Sequence, residues 1–202
     1  GLCFTHAPAS IAPPGGKLPV VGTNPFSIAV PGEKGEALLV IDQSASAIAK
    51  SEILLRSREG VPIEPGWALD AQGNETLDAD AALAGSMLPS GGYKGFGVGL
   101  LVEILAAALT GANLSTEASP FSGPNGGPPG TGQFFIAIDP AGSGEAGFGG
   151  AMARLAASIT DQPGARLPGK RRADNRARIE AEGVKVSDDL LARIKTIAAS
   201  PS

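Results

Sequence analysis

The chain has 202 residues, a formal net charge of −4 and a hydrophobic content of 43%. The apolar content is too high, and the charge too small, for a disordered chain. An isoelectric point near 5.0 argues against a general nucleic-acid binder, because such proteins carry a basic excess. The 29 glycines and 17 prolines predict many turns and loops, where ligand sites are common.

Strands are predicted where apolar and β-branched residues lie between turn signals: 1–5, 26–30, 37–41 and 133–138. Helices are predicted by apolar spacing near 3.6 residues: 46–57, 78–88, 96–111, 151–159 and 170–199, the last with a break at Gly183 and an N-cap at Ser187. Because hairpins and helices are mixed, we predict an α+β (mixed α/β) fold. We expect a cofactor-binding domain over 1–160, completed by a basic loop and helices over 161–202.

Cysteine use and the apolar runs indicate the compartment. Cys3 is the single cysteine, so no intrachain disulfide can form and we expect the cytoplasm. The longest apolar run, 96–112, is short for a membrane span and predicts a core helix in which Glu103 is buried and hydrogen-bonded. The first residues resemble the middle of a strand and lack an initiator Met, so we expect either a piece of a longer protein or a processed product.

A glycine loop at 89–95 precedes the apolar helix and contains Lys94. Backbone amides at a helix N-terminus form an anion site, to which a lysine adds a full charge. The alternative is a turn that needs glycine for its dihedral angles. A second glycine pattern, Gly142 to Gly147, fits G-x-G-x-x-G, but no second strand follows its helix, so a Rossmann unit is disfavoured.

Two further segments are candidate sites. Basic residues cluster at 166–178 in an otherwise acidic chain, which favours either phosphate binding or a solvated helix start; a nucleic-acid partner is disfavoured because no aromatic residues interleave. In 42–52 an acid ends a strand and serines precede a helix, a pattern that favours either a ligand site or simple capping. His6 is the only histidine, so no multi-histidine metal site is predicted.

Six ordered blocks of the sequence carry a family resemblance: GTNP at 22–25, PIEPGWALD at 62–70, LPSGGYKG at 88–95, VEIL at 102–105, GQFFIAIDP at 132–140 and RLPG at 166–169. Together they resemble the malate/L-lactate dehydrogenase family. The resemblance implies a non-Rossmann fold and a homodimer that uses NADP or NAD. It also implies an oxidoreductase that transfers hydride between the nicotinamide and a small 2-oxo acid, 2-hydroxy acid or cyclic imino acid.

The resemblance also implies roles for single residues. Substrate contacts fall on Thr23, Lys50 and Ser51, and Glu52 falls where the family places an Asp that supports the catalytic histidine. Cofactor contacts fall on these residues: Asp42, Gln43, Ser44, Tyr93, Lys94, Arg166, Pro168, Gly169, Lys170, Arg171 and Arg172. The arginines would favour a 2′-phosphate.

The family's catalytic histidine, the serine beside it and a substrate arginine belong to a region that precedes these blocks. His6 does not match that histidine, so the N-terminal part of the fold is expected to be absent here. The alternative to an oxidoreductase is therefore a non-catalytic nucleotide-binding fragment or subunit that lacks the N-terminal catalytic region and requires a second chain.

Overall fold

The computed structural model describes residues 1–32, 36–122, 126–142 and 147–199. The strands are β1 (Leu2–Thr5), β2 (Phe26–Pro31), β3 (Ala37–Gln43), β4 (Ala68–Leu69), β5 (Ser86–Met87) and β6 (Gln133–Ile136). The helices are α1 (Lys50–Glu59), α2 (Ala79–Ala84), α3 (Tyr93–Glu103), α4 (Gly147–Thr160), α5 (Lys170–Glu182) and α6 (Asp188–Ala199). A π-helical stretch, Ile104–Ala108, continues α3, and Pro140–Gly142 forms a 3₁₀ turn.

The main sheet has four strands in the order β3-β2-β1-β6. Each of its three pairings is antiparallel, and Cys3 at the centre of β1 lies between Ser27 and Phe135. Strands β4 and β5 form a separate antiparallel pair. This arrangement confirms the predicted α+β class, because a Rossmann unit is built on parallel strands joined by crossover helices.

Two apolar clusters hold the first part of the chain together. One contains Ile11, Val21 and Ile53, each at most 2% exposed, with Trp67 packed against it. The other joins the sheet to α3 through Phe4 and Val102. Burial of a side chain such as Ile53 stabilises the fold by about 1.5–3 kcal/mol. The first cluster also contains Ala45, just after β3, with Phe96 of α3 packed against it, so the clusters hold the segments where the candidate site lies.

The predicted strands form with small changes at their ends. The strand over 133–138 ends at Ile136, because its partner β1 begins at Leu2, the residue opposite Ile136. The helix over 46–57 begins only at Lys50. Ser46 donates its hydroxyl proton to the carbonyl oxygen of Ile48 at 2.7 Å, and such local side-chain bonds compete with helix formation.

The short helix over 78–88 begins as predicted, because Asp78 caps it by accepting from the amides of Asp80 and Ala81. It ends at Ala84, since the chain turns at Gly85 and then pairs with β4. The apolar helix begins at Tyr93, three residues earlier than predicted. Residues 143–146 of the disfavoured glycine fingerprint lie outside the described residues.

The chain divides into two compact units, Gly1–Ala153 and Arg154–Ser202. In the second unit, α5 ends at Glu182 with Gly183 as its C-cap, and the amide of Leu190 donates to Oγ of Ser187 at 3.4 Å. These features confirm the predicted break and cap. Every described residue of α5 and α6 is exposed. Among the helices in the described ranges, none combines the length and apolar character that a membrane crossing requires.

Candidate functional site

A cavity of about 460 Å³ lies in the first unit, between the segment that follows β3 and the N-terminal part of α3. Its lining contains three of the predicted cofactor residues, Gln43, Ser44 and Lys94. The remaining lining residues are small or apolar: Ala45, Ser46, Ala47, Ile48, Ala49, Ser90, Gly95 and Val98. Two separate candidate segments of the sequence therefore meet at one opening.

Glycines in the loop at 89–95 allow the two walls to approach closely. Gly91 and Gly92 have φ angles of 62° and 65°, a region that side chains other than glycine rarely adopt. A Cβ on Gly95 would lie 2.2 Å from the carbonyl oxygen of Ser90 and 2.9 Å from that of Ala45. The amide of Ser90 donates to the same Ala45 oxygen at 2.8 Å. Gly95 is therefore required where α3 crosses the 44–49 segment.

The N-terminus of α3 provides positive charge at the cavity. Gly92 is the N-cap and has no side chain to accept from the first helical amides. Those amides lack partners inside the helix and carry the positive end of the helix dipole. Lys94, in the first turn, lines the cavity and is exposed. Tyr93 precedes it and is 71% exposed. This geometry can bind an anionic group.

The strand end provides the opposite wall. Gln43 is the last residue of β3, and Asp42 beside it lies opposite Ser27 on β2. Thr23 of the GTNP turn accepts from the amide of Ala45 through its carbonyl oxygen at 2.8 Å. The predicted substrate residue Thr23 is thus tied to the cavity wall by its backbone.

Lys50, Ser51 and Glu52 form the first turn of α1, directly after the lining residue Ala49. Lys50 and Ser51 are exposed, whereas Glu52 is half-buried. Oε1 of Glu52 accepts from Nε of Arg56 at 3.1 Å.

Arg56 joins α1 to the loop that precedes β4. Its Nη1 donates to the carbonyl oxygen of Pro62 at 3.0 Å, and its guanidinium lies 5.5 Å from the ring centroid of Trp67. Arg56 therefore holds the Glu52 carboxylate on the helix surface. The role of Glu52 beside a catalytic histidine stays a prediction.

The predicted basic segment lies in the second unit. Arg166 and Pro168 are exposed, and Gly169 is the N-cap of α5 with a φ angle of 89°. Lys170, Arg171 and Arg172 form the first turn of that helix, where the helix dipole disfavours cations. Lys170 pairs with Asp174. A first turn of this composition favours a bound anion, and cofactor contact by these residues stays a prediction.

A buried polar network lies behind the cavity, and sequence reasoning predicts only one of its members, Glu103, and not Asn24. Asn24 is fully buried at a φ angle of 42°. Its Oδ1 accepts from the amide of Ala7 at 3.1 Å, and its Nδ2 donates to Glu103 at 2.9 Å. Glu103 is 8% exposed, as predicted for a hydrogen-bonded core carboxylate. The available signal was the position of Asn24 in a turn, since Asn tolerates left-handed backbone.

Within the described residues, no group of three or more His, Cys, Asp and Glu side chains could hold a metal ion. His6 follows β1, is fully buried, and accepts from the amide of Gly132 through Nδ1 at 3.1 Å.

Comparisons with known proteins agree with this architecture. The chain is 40% identical over 199 residues to the (2R)-3-sulfolactate dehydrogenase (NADP⁺) of Chromohalobacter salexigens, an alignment that covers 98% of this chain and 59% of that protein. It is also 40% identical over 198 residues to the Δ1-pyrroline-2-carboxylate reductase of Ancylobacter novellus, covering 96% and 58%. The chain thus spans less than two thirds of the length of these relatives.

Solved structures show the same relationship. The Δ1-piperideine-2-carboxylate reductase of Pseudomonas syringae pv. tomato superposes with a TM-score of 0.87 at 35% identity, covering 96% of this chain and 59% of that one. The sulfolactate dehydrogenase of Methanocaldococcus jannaschii gives a TM-score of 0.79 at 30% identity, covering 98% and 58%. The family model for malate/L-lactate dehydrogenase matches residues 1–195. This chain therefore belongs to the malate/L-lactate dehydrogenase family.

Proposed function

We propose that this protein is an NAD(P)-dependent oxidoreductase and that the cavity between β3 and α3 holds part of the pyridine nucleotide. The observation that carries the proposal is the meeting of Gln43 and Ser44 with Lys94 at one opening. The relatives named above are dehydrogenases and reductases, and one is named for NADP⁺. These names favour an oxidoreductase over a non-catalytic nucleotide-binding subunit.

The residues present fit a dinucleotide. Lys94 and the first amides of α3 would bind a phosphate, because a charge and an uncapped helix N-terminus act on the same group. The absence of a side chain at Gly92 leaves the backbone open to a ligand, and no atom lies within 4 Å of where its Cβ would be. When bound, the reduced nicotinamide would supply hydride to the planar carbon of a 2-oxo or imino acid, and the oxidised form would accept hydride from a 2-hydroxy acid. The protein would orient both partners.

The substrate class is a small 2-oxo acid, 2-hydroxy acid or cyclic imino acid. The proposed substrate contacts are Thr23, Lys50 and Ser51. Thr23 is hydrogen-bonded to the cavity wall, and Lys50 and Ser51 directly follow the wall segment that ends at Ala49. Lys50 is exposed and can attract a carboxylate. We retain Glu52 as the acid that supports a histidine of the complete catalytic site.

We also propose a homodimer that works in the cytoplasm. Large apolar side chains on α3 and its continuation are exposed, Leu101 at 50% and Ile104 at 57%. Contiguous exposed apolar surface is typical of an interface. Sedimentation velocity of the full chain tests the homodimer: we expect a dimer, and a monomer at micromolar concentration would contradict it.

A binding titration tests the cofactor site. We expect Lys94→Ala to weaken NADPH binding to the full chain by about tenfold or more, because a charge-assisted bond to phosphate is lost. Lys195→Ala in α6 is the control and should bind NADPH like the wild type. Equal dissociation constants in the wild type and Lys94→Ala would contradict the site.

Turnover distinguishes the two functions. (2R)-3-sulfolactate is assayed with NADP⁺, and Δ1-pyrroline-2-carboxylate and Δ1-piperideine-2-carboxylate are assayed with NADPH. Oxidation or reduction of one of these compounds supports the oxidoreductase. Cofactor binding without turnover of any of them would favour the nucleotide-binding subunit.

A further inference from the structure

Two serine hydroxyls in the cavity wall have protons whose positions follow from their neighbours. Oγ of Ser46 lies 2.7 Å from the carbonyl oxygen of Ile48. A carbonyl oxygen only accepts, so the proton of Ser46 points to Ile48. The same Oγ lies 3.0 Å from Oγ of Ser44. Because Ser46 has already donated its proton, the bond between the two serines must use the proton of Ser44.

The oxygen of Ser44 therefore remains as an acceptor at a surface that lines the cavity. Ser46 is only 6% exposed, so solvent is poorly placed to replace its bond to Ser44. The backbone on both sides of Ser46 is fixed, since the amide of Ala45 donates to Thr23 and that of Ala47 donates to Leu88, each at 2.8 Å. Rotation of Ser44 toward donation would break the bond to Ser46.

We propose that Ser44 selects a hydrogen-bond donor on the ligand and that Ser46 is the positioning residue that enforces this choice. The inference rests on the proposed function. In a pyridine nucleotide the neutral donors are the carboxamide amino group, the adenine amino group and the ribose hydroxyls, whereas ionised phosphates only accept. Because the Ser44 oxygen only accepts, it repels the oxygens of an ionised phosphate. The phosphate is therefore directed to Lys94, and a donor group of the ligand is directed to Ser44. This division between an anion site and an acceptor site fixes the orientation of the bound ligand.

Dissociation constants of NADP⁺ test this division in the full chain. We expect Ser44→Ala to weaken binding by about 3- to 10-fold, the effect of one neutral hydrogen bond. Ser46→Ala should weaken binding by a smaller factor of about 2- to 5-fold, because Ser44 is then free to turn its proton toward the ligand. Ser46→Thr retains the hydroxyl and should bind like the wild type. Ser158→Ala, on the exposed surface of α4, is the control.

Two analogues identify the donor. The 3-acetylpyridine analogue of NADP⁺ lacks the carboxamide amino group, and the hypoxanthine analogue lacks the adenine amino group. If one of these groups is the donor, Ser44→Ala has no effect on binding of the analogue that lacks it. If Ser44→Ala weakens the binding of both analogues as much as it weakens the binding of NADP⁺, the donor is a ribose hydroxyl.

Unchanged NADP⁺ affinity in Ser44→Ala would overturn the inference while the proposed function stands. Unchanged affinity in Ser46→Ala, with a loss in Ser44→Ala, would overturn the positioning role of Ser46. Failure of the wild-type chain to bind NADP⁺ at millimolar concentration would instead overturn the proposed function itself.

Discussion

The side-chain amide of Asn24 donates to the carboxylate of Glu103 at 2.9 Å, between two buried residues 79 positions apart in the sequence. The same amide donates to the carbonyl oxygen of Gly99 at 2.9 Å. Ser115 adds a backbone bond to Oε1 of Glu103 at 2.6 Å. This network ties the GTNP turn to α3, and so holds together the elements that form the two walls of the cavity.

Replacement of Glu103 by Gln tests the network. Its Oε2 accepts from Asn24 and its Oε1 from the amide of Ser115, so an amide nitrogen at either position faces another donor. We expect Glu103→Gln to lower the free energy of unfolding by about 1–3 kcal/mol, the cost of an unsatisfied buried group. The measurement is urea denaturation. Glu180→Gln, on the exposed surface of α5, is the control, and equal stability of the two variants would contradict the role of Glu103.

A pair of glycines in α3 tests the close approach of the cavity walls. A Cβ on Gly95 would meet the Ser90 backbone at 2.2 Å, whereas one on Gly97 has no atom within 4 Å. We expect Gly95→Ala to destabilise the protein by about 1–3 kcal/mol, the cost of overpacking, and to weaken NADPH binding. Gly97→Ala should stabilise the helix by up to about 1 kcal/mol. Similar thermal denaturation of both variants would show that the walls are not held at this distance.

Asp70 makes the stability of the fold depend on pH in the acid range. The amide of Asn74 donates to its Oδ1 at 2.9 Å, as does that of Gln72, and the bond from Asn74 is the main cause that lowers the pKa of Asp70. Because the folded-state pKa lies below the unfolded one, ionised Asp70 stabilises the fold above the unfolded pKa. That contribution is lost as the pH falls through the folded pKa.

We expect Asp70→Asn to remove this contribution, so its stability difference from the wild type should shrink as the pH falls below about 4. Urea midpoints measured from neutral to acid pH give the result. Asp161→Asn, at an exposed turn, is the matched control. A constant difference between Asp70→Asn and the wild type at all pH values would show that the turn does not depend on the charge of Asp70.

The basic first turn of α5 predicts a preference between the two cofactors. An arginine that binds a 2′-phosphate contributes to the binding of NADPH and not of NADH. We expect Arg171→Ala to raise the dissociation constant of NADPH by about tenfold and to leave that of NADH nearly unchanged. Arg193→Ala in α6 should alter neither constant. Equal losses for the two cofactors would show that Arg171 does not recognise the 2′-phosphate.

Local patterns predict the strands and the glycine loop well, because strand alternation and positive-φ glycines depend on neighbouring residues. The start of α1 is different. Residues 46–49 have helical spacing, but Ser46 bonds to Ile48 and forms a β-bridge with Pro89. A contact with a residue 43 positions away overrides the local preference, and no local pattern contains it.

The candidate site shows the same division between local and distant causes. Strand-end and glycine-loop patterns predict the segments that contain Gln43, Ser44 and Lys94, and the family resemblance assigns these residues to the cofactor. The structure brings them to one cavity. The small residues beside them carry no chemical signal in the sequence, since Ala47 and Ala49 line the cavity without a polar side-chain atom. The buried position of Asn24 depends on bonds to two other segments, the one at Ala7 and helix α3, so its sequence neighbours alone could not reveal it.

Hydrogen–deuterium exchange of the full chain, with and without NADPH, tests the central claim most directly. The segments 43–49 and 90–98 contain the residues that line the proposed cofactor site, whereas 68–75 belongs to a separate turn. We expect NADPH to slow exchange in both wall segments and to leave 68–75 unchanged. NADPH binding without slower exchange in either wall segment would contradict the account.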